Sequence, residues 1–92
     1  MIALTSVLRP RPDVRYRIID REAVVVRQDA AELIVLNETG ARVLQLMDGV
    51  RSVAAIIDTM VEDFAAERPD IERDVMAFIG ELTQLGATEE VA

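Results

Sequence analysis

Residues 33–49, LIVLNETGARVLQLMDG, force a change of backbone period within one short stretch. Leu33, Ile34, Val35 and Leu36 form an uncharged apolar run with strand character. Successive side chains of a strand point to opposite faces, so this run is apolar on both sides. Asn37 follows at once, a residue suited to cap a helix. Val43, Leu44 and Met47, with Ala41, then recur at helical spacing, and Gly49 is a natural left-handed stop. A strand feeding directly into a short helix places sheet and helix side by side.

The rest of the chain fits around that junction. Pro10 and Pro12 hold Arg9 and Arg11 extended and exclude a helix, so residues 1–13 are expected to form a flexible arm. Residues 16–19 read as a first strand, 20–22 as a polar break, 23–27 as a second strand and 28–31 as a turn. Residues 33–36 are the third strand. Loops of about three to five residues favour antiparallel hairpins.

Beyond Gly49 the period is helical throughout. Ser52 caps a helix in which Val53, Ile56, Ile57, Met60, Val61 and Phe64 share one face. Pro69 interrupts, and Asp70 is expected to cap a third helix ending near Leu85 and Gly86. Its core stripe is read as Ile71, Val75, Phe78, Leu82 and Leu85. On a wheel centred on Phe78, Ile79 falls at about 100° and Met76 at about 160°, with Glu72 and Thr83 between them. This second stripe is read as the wall of a groove. Residues 87–92 are expected as a short acidic tail. Segregated strands and helices give an α+β domain over residues 14–86, with a three-stranded antiparallel N-terminal sheet followed by three helices.

Composition narrows the chemistry. Hydrophobic residues make up 51% and aromatics 3%, so the core is aliphatic and the chain is not a disordered one. Histidine, cysteine, lysine and tryptophan are all absent, which leaves little for catalysis; no enzyme, metal site or cofactor is expected. Without cysteine a reducing, cytoplasmic setting is expected, and no run approaches the roughly 20 apolar residues of a membrane span. The charge is uneven. Up to Arg27, six arginines face three carboxylates; from Gln28 onward, four arginines face fourteen. Asp70, Glu72, Asp74 and Glu81 on the third helix would repel phosphate, so nucleic acid is not an expected partner. Ser52 follows Arg51 rather than an aspartate, and with three strands it reads as a helix cap, not a carrier serine.

In Leu36-Asn37-Glu38-Thr39-Gly40-Ala41, Leu44, Asp48-Gly49, the helix opened by Ser52-Val53-Ala54-Ala55-Ile56, then Asp74-Val75, Phe78 and Leu82 before Gly86, the chain resembles the PqqD-like family. These are the RiPP recognition elements, precursor-peptide chaperones of modified-peptide biosynthesis. The resemblance implies a winged-helix-like, non-catalytic domain. It would capture the leader of a ribosomally made precursor peptide as a strand added to Leu33, Ile34, Val35 and Leu36, in the cleft against the third helix. The complex would be presented to a modifying enzyme, often a radical-SAM enzyme. Combined with the wheel, this puts Glu72, Met76, Ile79 and Thr83 on the cleft wall. The alternative is a structural or oligomerising module whose third strand pairs with a second copy.

Overall fold

The computed structural model describes residues 2–29 and 31–91. Five strands and three helices follow one another as β1 (Leu8–Pro10), β2 (Val14–Ile19), β3 (Glu22–Arg27), β4 (Glu32–Leu36), α1 (Glu38–Leu46), α2 (Val53–Phe64), α3 (Arg68–Gln84) and β5 (Thr88–Glu90). The three strands expected from sequence are β2, β3 and β4. They form one antiparallel sheet in the order β2-β3-β4. The β2–β3 turn holds Asp20 at φ 50° and Arg21 at φ 71°, the left-handed pair of a two-residue hairpin that follows strand twist. The turn expected at 28–31 contains Ala30, which lies outside the described residues.

The helix caps follow the sequence. Asn37 accepts from the Gly40 N–H at 2.9 Å, and Ser52 accepts from the Ala55 N–H at 3.2 Å. α3 ends in a Schellman arrangement: Gly86 sits at φ 75°, its N–H donates to the Thr83 carbonyl, and the Ala87 N–H donates to the Leu82 carbonyl. The start of α3 differs from expectation. Glu67 occupies the cap position without a side-chain bond, and Pro69 lies inside the first turn. Proline is tolerated there because its missing N–H would have had no helical partner.

The termini depart furthest from the sequence reading. The segment 1–13 is not a loose arm over its described length, nor is 87–92 merely a tail. β1 pairs antiparallel with β5, with Arg9 opposite Glu89, and Leu8 is fully buried. Met1 and Ala92 lie outside the described residues. The core they close is aliphatic, built from Leu44, Met47, Val53, Ile56, Ile57, Met60 and the inward faces of α3 and β3. Each such fully buried side chain contributes about 1.5–3 kcal/mol of transfer free energy. Among the described residues no helix is long and apolar enough to cross a membrane.

Candidate functional site

Among the described residues only one side of β4 is paired. Its ladder runs to β3, with Ile34 opposite Val25 and Leu36 opposite Ala23, and its other rim of N–H and C=O groups is open. β2 is the sheet's second open rim, but it carries Arg15 and Arg17, the kind of charge that blunts an edge. Residues 33–36 carry none. Leu36 is buried and Ile34 half-buried on the core side, while Leu33 and Val35 are 63% and 61% exposed on the other face.

α3 packs mainly on α2 and β5, whereas β4 packs on β3 and α1. α3 meets the sheet side at two places, one at the start of α1 and one past its own last turn. At one end the Phe78 ring lies on Gly40; a Cβ built there would come within 2.9 Å of the ring and 3.3 Å of the Leu36 Cβ. Asn37, Thr39, Val43, Asp74 and Val75 complete a hollow of about 240 Å³ beside that ring. At the other end Arg27 of β3 donates from Nη1 to the Leu85 carbonyl at 2.7 Å, past the last turn of α3. Glu32 and Asp29 lie 3.4 Å from the same guanidinium. Leu85, 41% exposed, is the apolar residue at this end. Main-chain donors, an aromatic ring, a leucine and flanking carboxylates suit an extended chain carrying alternate apolar and basic side chains. Among the described residues no cluster of three or more His, Cys, Asp or Glu could hold a metal.

The structure separates the residues that the sequence grouped. Leu33, Ile34, Val35 and Leu36 lie together on the open strand. The wall residues expected on α3 do not face it. Ile79 is fully buried, because the core stripe is Ile71, Val75, Ile79 and Leu82 at i, i+4, i+8 and i+11. Taking Phe78 as its centre turned the wheel by about 40°. Thr83 faces β5, its Oγ1 3.2 Å from that of Thr88. Glu72 and Met76 line a separate hollow with Arg68, Pro69 and Arg73. The flank of α3 that meets the sheet side is the one bearing Asp74, Phe78 and Leu85. The signal that could have found it is the stripe's own spacing, which leaves Phe78 at its margin.

Antiparallel sheets with three helices make an α+β fold that matches a solved RiPP recognition element. In coordinates the chain is similar to the PqqD truncation of Methylobacterium extorquens PqqCD, a RiPP recognition element, with TM-score 0.80 and 23% identity over 97% of this chain and 95% of that one. It is also similar to a lasso peptide synthetase B1 complexed with its leader peptide, with TM-score 0.79 and 27% identity over 89% of this chain and 96% of that one. In sequence, residues 22–87 match the family described as coenzyme PQQ synthesis protein D (PqqD). The chain belongs to the PqqD family. A relative from Rhodopseudomonas palustris strain TIE-1, named PqqA binding protein, is 43% identical over 54 residues, 59% of this chain and 53% of the relative. The chain thus spans about half the length of this curated relative.

Proposed function

We propose that this domain binds the leader of a ribosomally made precursor peptide as an added strand on β4, in the cleft against α3, and presents it to a modifying enzyme. The domain itself supplies no catalytic group, and it acts in the cytoplasm as a winged-helix-like carrier. The enzyme is of the radical-SAM kind or another peptide-modifying class. The observation that carries this reading is the uncharged open rim of β4 opposite Phe78. Each main-chain bond gained there contributes about 0.5–1.5 kcal/mol net, and the side chains select register and sequence. The PqqA-binding name of the relative and the leader bound in the lasso synthetase support the same assignment. The carboxylates of Asp74, Asp29 and Glu32 at the cleft ends favour a leader with basic residues, attracted over about 8–10 Å at moderate salt.

The test is an amide-resolved titration of the isotope-labelled chain with a synthetic PqqA peptide, the peptide that its curated relative is named for binding. Shifts are expected along Glu32–Leu36 and at Asp74 and Phe78, with affinity falling as salt rises. Undisturbed β4 amides, or shifts centred on β2, would refute the assignment.

A further inference from the structure

The cleft uses the rim of the sheet and leaves its outer face unexplained. Strand register aligns Arg15, Val26 and Leu33 in one row across β2, β3 and β4, and Arg17, Val24 and Val35 in the next. Directly paired residues share a face, and Ala23, Val25 and Leu36 are buried on the opposite one. Both rows therefore point outward, away from the helices. Leu33 and Val35 are more than half exposed, and Val24 and Val26 are half-buried. A solvated sheet face is normally polar, and a contiguous apolar patch marks an interaction surface. Arg15 and Arg17 border it on β2 and Glu22 at the start of β3; Arg15 donates to the Pro12 and Val14 carbonyls, and none of the three takes part in the ion pairs found among the described residues. The chain as a whole carries −7, so a face edged by two arginines and one glutamate is an apolar, net positive face on a negative molecule.

We propose that this face docks the modifying enzyme through an apolar patch edged by carboxylates, and that the bound leader completes the docking surface. The proposal rests on the leader reading above. A leader on β4 becomes a fourth strand, and its alternate side chains emerge on the outer face beside Leu33 and Val35. A partner lying across the face then touches carrier and cargo together. It binds the loaded carrier more tightly than the empty one, and by linkage it tightens leader binding by the same factor. Charge complementarity selects a heterologous partner over a second copy. A second copy would add −7 of its own, and a face-to-face pair would bring both sets of Arg15 and Arg17 into one interface. Those arginines lie on β2, about 14 Å from an added leader strand at three strand spacings, so they report docking without touching the leader.

The experiment titrates a radical-SAM enzyme that modifies the leader this chain binds against the wild-type chain, an Arg15→Glu/Arg17→Glu variant and a Val24→Thr/Val26→Thr variant. The threonines keep the β-branched shape while removing apolar surface. Each titration is run with and without synthetic leader, and circular dichroism checks the fold. Leader affinity should agree within about twofold across all three proteins. Enzyme affinity should fall about tenfold or more in the charge-reversed variant and also fall in the threonine variant. The wild type should bind the enzyme several-fold more tightly when loaded. Equal enzyme affinity in wild type and variants, equal affinity for loaded and empty carrier, no enzyme binding, or a wild-type dimer in light scattering would each overturn the proposal. A wild type that binds enzyme through this face but takes no leader would instead sink the leader assignment. Should the charge reversal unfold the chain, Arg15→Gln/Arg17→Gln carries the same comparison.

Discussion

Asp48 is a surface residue with a structural task. Its Oδ1 accepts from the backbone N–H of Val50 at 3.0 Å and of Arg51 at 2.9 Å, and its Oδ2 accepts from the Arg51 guanidinium at 2.6 Å. These bonds fix the loop between α1 and α2, and Gly49 at φ 80° completes the bend. The backbone donors, Arg51's first, together with the Arg51 charge, hold the Asp48 carboxyl below its ordinary range. A carboxyl depressed in the folded state stabilises the fold above its unfolded value and loses that contribution as pH falls through the folded one. Asp48→Asn keeps an acceptor for the backbone but not the charge. Wild type should therefore melt above Asp48→Asn at pH 7, and the gap should close as pH drops below about 4. A gap that stays constant in thermal scans across that range would contradict the assignment. At this scale much was legible: Asn37, Ser52 and Gly86 each do what their chemistry implies, whereas Gly49 is left-handed as expected but lies in the loop, two residues beyond the Met47 cap of α1. The stripe's spacing already puts Phe78 at its margin; what sequence could not supply was the glycine its ring rests on, Gly40 of α1.

Among the elements, α3 decides whether a cleft exists. Its existence and its end were legible from the helical period and Gly86; its rotation was not. A stripe of aliphatic residues has a broad angular width, and choosing the aromatic as its centre shifts every neighbouring assignment. The end of α3 is tied to the sheet from outside the helix by Arg27. This guanidinium, with its side chain 21% exposed, reaches the Leu85 carbonyl and packs within 3.2 Å of the place a Cβ on Gly86 would occupy. A cation at a helix C-terminus also complements the dipole. Arg27→Met keeps the stem and removes the tie. It should lower stability by about 1–3 kcal/mol in urea unfolding, the scale of a hydrogen bond to a charged group. Leader affinity should fall with it, because the far end of the cleft is no longer held. Unchanged stability and affinity would mean that α3 is positioned by its core stripe alone.

Across the whole molecule, the two termini form one structural unit that residue patterns conceal. β1 is three residues long and ends in proline, and β5 is acidic, so neither shows a strand period. Their pairing is carried by main-chain bonds and by the Arg9–Glu89 ion pair at 2.9 Å. The N-terminal segment also serves α2. The first N–H groups of a helix have no partner within it. Here Val53 donates to the Ser6 carbonyl at 2.8 Å and Ala54 to that of Leu4 at 2.9 Å, while Gly49 donates to Leu8 at 3.0 Å. Leu8 itself is fully enclosed, as is Ala87 on the other terminus. Residues 14–86, the domain expected from sequence, therefore lack part of their own core and the partners of one helix start. Leu8→Ala alone should cost about 2–5 kcal/mol. Against the roughly 5–15 kcal/mol that holds a domain together, that lowers the melting midpoint by about 10 °C or more. The truncation to 14–86 should be less stable still, since it also strands the donors of Gly49, Val53 and Ala54. A fragment that melts with the midpoint of the full chain would show that the paired termini are decoration. A full chain carrying Leu8→Ala should, where it remains folded, bind leader as the wild type does, because Leu8 makes no part of the β4 rim.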